Sequence, residues 1–367
     1  MRATAISLGF MVLMFGGCGT ATGEETGTTG TSGGATTTTG EVGTTMVEPT
    51  STGSTTGSTG ESDTAPTSTP TSGTTSDTSG EASTGTTGEA IDCAAIPEGP
   101  FTPTLYLGGF VGSEDLAFDG QGGLVLKRDG EIVIVRADQS ETVLAQGLAQ
   151  AYGTRYLADG RLLVALPNSG EVLAYDAMGQ AAAFLDGLKS PNGLYPDLAG
   201  DVWITEFGGS NVLRVGADLS VKTIVTGADA SSANGVVYDP QRQLLFYTKY
   251  LAGQIQRVVI DGQGEPGAPE LVAAVGGAAL DGLTLDACGN VYAMDQKNSR
   301  LYRVRLDGAG AAVGEPALLA EFPSNVANAQ FGVGDGFDAQ TLYVAGNPGD
   351  VYTLAVEVPG AAIVTVQ

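Results

Sequence analysis

Short apolar runs recur along the C-terminal part of this chain, each bounded by turn residues. Residues 124–126, 162–165, 202–205, 244–248, 291–294 and 342–345 are such runs, rich in Leu, Val, Tyr and Thr. Their length, composition and flanking Gly and Asp predict β-strands, and no helical period competes. Each is preceded by a related segment: residues 113–119, 151–156, 191–197, 233–239, 280–286 and 330–335. A further strand follows the second turn, as in residues 171–175 and 299–304. The segments repeat every roughly 40 to 50 residues, the period of four-stranded propeller blades. The pattern predicts an all-β fold, a six-bladed β-propeller of four-stranded blades over residues 91–367. Residues 101–107 are expected to add a strand to the last blade and close the ring.

The pattern changes before residue 91. Residues 19–90 are dominated by Thr, Gly and Ser. A segment so poor in large apolar side chains cannot offset its chain entropy by burial, so the expectation is a disordered linker. Residues 1–18 read differently. Arg2 precedes an apolar run from Ala3 to Phe15 that is too short to span a bilayer. Phe15-Gly16-Gly17-Cys18 resembles the lipobox of bacterial lipoproteins, in which the Cys is acylated. The expectation is export with lipid anchoring to the cell envelope through Cys18, at the outer membrane, periplasm or cell surface; simple secretion is the alternative. Cys93 and Cys288 are then left in an oxidising compartment, either as a disulfide stapling the entering chain to the propeller or as two free thiols.

Charge and composition narrow the chemistry. The formal net charge is −25, and no Lys or Arg lies between Arg2 and Lys127. Nucleic acid is excluded as a partner for lack of a basic footprint. The membrane is reached through the lipid alone, and a monomer is expected. There is no histidine in the sequence. This removes Ser-His-Asp and Cys-His catalysis and His-ligated metals. Carboxylates, a hard metal ion, Lys and Tyr remain.

Aligning the six segments on their Gly column places Glu114, Tyr152, Asn192, Asn234, Asp281 and Phe331 at one level. In a propeller this level lies at the start of the innermost strands, at one mouth of the channel. Four of the six carry oxygen donors, with Tyr152 and Phe331 as walls. Such a set suits a divalent cation, Ca²⁺ first, with Mg²⁺, Mn²⁺ or Zn²⁺ possible. Asn-Gly and Asp-Gly are also ordinary turn residues, which accounts for each position singly but less well for Glu114. The turns after the second strands should rise around the same mouth. They carry Lys127, Arg128, Glu206, Lys249, Tyr250, Asp295 and Asn347, of which Lys249, Glu206 and Asp295 are expected to line the substrate pocket.

Glu114, Asn192, Asn234 and Asp281, one per blade, resemble the metal quartet of the regucalcin/gluconolactonase (SMP-30/LRE-like) family. Residues 112–116 and 233–235 resemble calcium motifs of paraoxonase-type arylesterases, and residues 281–292 are similar to an NHL repeat. The resemblance implies a metal-dependent hydrolase of lactones or related esters, with Asp281 as general base. Ser190 stands where the gluconolactonase pattern has an Arg that grips a sugar acid. A non-catalytic surface propeller that binds a ligand or protein is the alternative.

Overall fold

The computed structural model describes residues 91–367. The expected signal segment, Cys18 and the expected linker over residues 19–90 lie outside the described residues.

Among the described residues, six four-stranded antiparallel sheets are formed, joined by turns, with two single-turn 3₁₀ segments. The innermost strands are Ala117–Phe118, Thr154–Tyr156, Pro191–Pro196, Ala233–Asp239, Leu280–Leu285 and Asn328–Phe331. Each of the first five sheets is a simple meander in chain order. The sixth is completed by Thr104–Leu107, which pairs antiparallel with the strand Val351–Ala355. Both ends of the propeller thus build one blade, and the ring has no open seam.

Second strands are buried along all or nearly all of their length, as in Leu162–Leu166 and Val202–Glu206. Both faces of each blade pack on a neighbour, so these strands read as near-continuous apolar runs. Between the first and last blades, for example, Leu116, Phe118, Leu124 and Leu126 meet Phe337, Tyr343 and Val351.

Two sequence features gain a physical meaning. Gly153, Gly193 and Gly235 sit where a Cβ would collide with the main-chain oxygens of Asn192, Asn234 and Asp281 in the next blade. The glycine column therefore allows innermost strands to approach one another. The Asp that ends the motif caps the following turn. Asp286 Oδ1 accepts from the backbone N–H groups of Cys288 (2.9 Å) and Asn290 (2.8 Å), and Asp119 and Asp197 do the same in their blades.

Cys93 and Cys288 are joined, with Cα atoms 5.6 Å apart. Cys288 lies in the turn between the first two strands of the fifth blade, at the end of the ring away from Glu114 and Asp281. The C-terminal residues cross that same end. The N–H groups of Ala361, Val366 and Gln367 donate to the carbonyls of Leu285, Asp119 and Ala158, in three different blades. Ile363 and Val364 line the foot of the channel with Arg155, Tyr195 and Gln330.

Candidate metal centre at the channel mouth

Local hydrogen bonding places one residue of each blade at the mouth. Thr205 donates its hydroxyl to the Asn234 carbonyl and accepts from the Gly193 N–H at 2.8 Å. Thr248 accepts from the Gly235 N–H and donates to the Asp281 carbonyl, each at 2.8 Å. Lys127 holds this place in the first blade. It is buried, and its ammonium donates to the carbonyls of Ala151 (3.0 Å) and Tyr152. Lys127 is therefore a strut between blades and not the rim residue its position after a strand suggests.

Glu114, Tyr152, Asn192, Asn234 and Asp281 stand at this level. Phe331 does not. The Gly282 N–H donates to the Ala327 carbonyl at 2.9 Å, as the Gly153 N–H does to Asn192 at 3.0 Å. Ala327 is thus the sixth blade's residue, and Asn328 takes the glycine column with its carboxamide against Gly282. Phe331 lies four residues further down, packed edge-on against Tyr292 at 5.5 Å. Alignment on Gly332 misplaces it.

Glu114, Asn192, Asn234 and Asp281 are all buried. Glu114 Oε2 accepts from Asn347 Nδ2 at 3.1 Å. Asn234 Oδ1 and both carboxylate oxygens of Asp281 have no hydrogen-bond partner. The Asn234 carboxamide lies close enough to ease the charge on Asp281 without completing a bond to it. Burial pushes the Glu114 carboxyl up to about 7, against the opposing pull of Lys127 and Asn347. Burial, then the charge of Glu114, raises Asp281 well above the usual carboxylate range. Tyr152 and Tyr250 are each pushed up to about 12, by burial first and then by the charges of both Glu114 and Asp281. Two phenols that feel the same two carboxylates place all four groups around one mouth.

Asp115, directly below, is satisfied by the N–H groups of Leu116 (2.9 Å) and Thr154 (2.8 Å) and by Arg155 at 2.5 Å. Among the described residues, three of the four buried side-chain oxygens without a partner lie at the upper level; the fourth is Gln330 Oε1, at the foot of the channel. Among the described residues no three His, Cys, Asp or Glu side chains cluster as a metal centre. The set here is two carboxylates and two carboxamides, a donor set that fits a hard divalent cation.

The expected pocket residues divide. Tyr152 belongs to the mouth. Glu206 accepts from the Lys189 N–H (2.6 Å) and Asn211 Nδ2 (2.5 Å), and Asp295 from the Ala279 N–H (3.0 Å) and Asn298 Nδ2 (2.7 Å). Both carboxylates hold turns together. Lys249 Nζ donates to the Ala228 carbonyl at 2.8 Å. The wall is instead Tyr250, held by Gln296 at 2.5 Å, with Phe207 edge-on at 5.8 Å. Phe207 follows the second strand of its blade directly, a position the repeat marks but that carries no motif of its own.

Comparisons with known proteins agree with this architecture. Residues 186–346 match the sequence model of the SMP-30/Gluconolactonase/LRE-like region, which takes in Asn192, Asn234 and Asp281. No curated protein sequence was matched. A gluconolactonase from Xanthomonas campestris superposes with a TM-score of 0.57 at 20% identity, covering 72% of this chain and 99% of that one. A calcium-binding protein, regucalcin, from Agrobacterium tumefaciens gives 0.58 at 18%, covering 73% and 98%. A luciferin-regenerating enzyme gives 0.61 at 17%, covering 72% and 99%. By its matched region and by its six-bladed fold alike, the chain resembles the SMP-30/gluconolactonase/LRE-like propellers.

Proposed function

We propose that the mouth binds one divalent cation, Ca²⁺ by the chemistry of its donors, and hydrolyses a lactone or related ester. One observation carries this reading: Asp281 and Asn234 bury three oxygens with no partner, beside the carboxylate of Glu114. Buried polar atoms without partners are costly and rare, and a site that gathers them is matched to a ligand. The names of two structural neighbours, a gluconolactonase and a calcium-binding regucalcin, support the assignment.

Glu114, Asn192, Asn234 and Asp281 would hold the cation. When bound, it would supply polarisation of the ester carbonyl and stabilisation of the developing oxyanion. Asp281 offers two oxygens, so one remains to take a proton from water as the water attacks the carbonyl carbon. The ring C–O bond breaks, the proton passes to the leaving alkoxide, and a hydroxy acid results. Asn347 keeps Glu114 oriented. Tyr152 and Tyr250 shield the reacting carbon from bulk water, and the C-terminal crossing leaves the upper mouth as the approach.

A panel of lactones and aryl esters, assayed after chelation and again with Ca²⁺ restored, tests this. Turnover that disappears with chelator, returns with the ion and is lost in Asp281→Asn supports the reading. Turnover indifferent to chelator contradicts it.

We also propose export and acylation at Cys18, with the chain acting as a monomer on the cell envelope. The Cys93–Cys288 bond supports an oxidising compartment. Cys18→Ala should shift the protein from the membrane to the soluble fraction or block its processing; wild-type protein already soluble after export would refute acylation.

A further inference from the structure

The two phenols at the mouth are held in opposite senses. Gln150 Nε2 donates to the Tyr152 hydroxyl at 3.0 Å. Asn168 Nδ2 donates to Gln150 Oε1 at 3.3 Å, which turns the Gln150 amino group toward the phenol. Tyr152 is therefore an acceptor in this contact, and among the described residues no acceptor engages its own proton. Tyr250 is the reverse. Its hydroxyl donates to Gln296 Oε1 at 2.5 Å, which commits its one proton. The mouth has one phenol free to donate and one that is not.

Chain order gives the phenols different places. Asp281 lies on the first strand of the fifth blade, and Tyr152 directly precedes that of the second. First strands are neighbours in chain order, so in a ring of six these two blades face one another across the channel. Tyr250 follows the second strand of the fourth blade, Leu244–Lys249, and is tied to Gln296 of the fifth. Tyr250 thus stands on the side of Asp281, and Tyr152 stands opposite. The cations around the mouth are engaged elsewhere: Lys127 by the Ala151 and Tyr152 carbonyls, Lys249 by Ala228 and Arg128 by Glu141.

We infer that the Tyr152 hydroxyl is the hydrogen-bond donor to the leaving oxygen of the substrate, across the channel from the base. The inference rests on the hydrolase reading. Water activated by Asp281 enters from the fifth-blade side, and the oxygen that departs is turned to the second blade. Negative charge develops on that oxygen as the C–O bond breaks, and a donor already in place stabilises it. Burial and the charges of Glu114 and Asp281 push the Tyr152 phenol up to about 12, so it stays protonated at neutral pH. Tyr152 gives a hydrogen bond and keeps its proton; the proton taken from water neutralises the alkoxide.

The probes are two unreactive anions with the tetrahedral shape of the reacting carbon, titrated into the Ca²⁺-loaded full chain. One is a cyclic phosphonate ester, and the other is the cyclic phosphinate in which CH₂ replaces the ring oxygen. The wild-type chain should prefer the ester by roughly tenfold or more, the worth of one hydrogen bond to that oxygen. Tyr152→Phe should erase the preference without change in Ca²⁺ affinity. Gln150→Glu should erase it too, because the carboxylate accepts the phenol proton while the ring stays in place. Tyr250→Phe should keep it. Absence of the preference in the wild-type chain, its survival in Tyr152→Phe or Gln150→Glu, or its loss in Tyr250→Phe overturns the inference. Lactones and aryl esters are assayed in parallel. Tyr152→Phe should slow alkyl lactones by roughly a hundredfold and aryl esters far less, since an aryl oxide needs less help to leave. Turnover without the ring-oxygen preference overturns the donor and leaves the hydrolase standing. A Tyr152-dependent preference without any turnover keeps the contact to the ring oxygen and overturns the hydrolase.

Discussion

Thr248 donates its hydroxyl to the main-chain oxygen of Asp281 at 2.8 Å while accepting from the Gly235 N–H at the same distance. One buried hydroxyl thereby fixes the backbone of the proposed base to the neighbouring blade. Thr205 does this for Asn234, and Lys127 for Tyr152. The donor level is built by hydrogen bonds between blades: these three run from the second strand of one blade to the inner segment of the next, and the Gly153 N–H to the Asn192 carbonyl joins two inner segments directly. Thr248→Val keeps the shape but leaves the Gly235 N–H and one bond of the Asp281 carbonyl unmet. It should cost about 1–3 kcal/mol of stability in chemical denaturation. It should also weaken Ca²⁺ affinity, which a purely structural hydroxyl remote from the site would not.

Proton uptake gives a second expectation. Glu114 is raised from its ordinary 4.5 to about 7, and Asp281 is raised as well, both by burial. Between these values the folded chain binds more protons than the unfolded one. Stability of the cation-free protein should therefore be greatest below about pH 4.5, as far as these two groups set it, and fall as pH rises through about 7. A divalent cation competes with those protons. The rise in Tm produced by Ca²⁺ should be small at pH 5 and large at pH 7.5. Lys127, lowered to about 8, titrates above this window. Thermal melts with and without Ca²⁺ at the two pH values check this, and an equal rise at both would count against it.

The staple gives a third. The Cys93–Cys288 bond closes a sequence separation of 195 residues. Chain entropy alone assigns such a loop up to about 5 kcal/mol. Cys93→Ser with Cys288→Ser should lower Tm and free the segment before the closing strand to proteolysis. A melting temperature unchanged by the double substitution would show that the entering chain is held by Ile96 and Phe101 packing instead.

The legible parts of the fold are those that repeat. Turn-capping Asp, close-approach Gly and short apolar strands recur in most blades, because each blade solves the same packing problem. The four oxygen donors were visible for the same reason: the repeat puts them at one level. Three things escaped the repeat. Ala327 is masked because Asn328 fills the glycine column and Gly332, four residues on, imitates it. Lys127 occupies a place where other blades use Thr, and nothing in the chain marks its inward turn. The C-terminal crossing has no periodic pattern, since Ala361, Val366 and Gln367 pair with carbonyls from three separate blades. Glu206 and Asp295 looked available because a carboxylate engaged by turn N–H groups reads the same in sequence as a free one.

Calorimetric titration of Ca²⁺ into the chelator-treated full chain tests most directly whether four blades hold one cation. One ion per chain should bind, with heat released into a single class of sites. Glu114→Gln and Asp281→Ala should each weaken that binding by at least a hundredfold while the folded spectrum is kept. Absence of binding by the wild-type chain at millimolar Ca²⁺, or undiminished binding by both variants, would contradict the site.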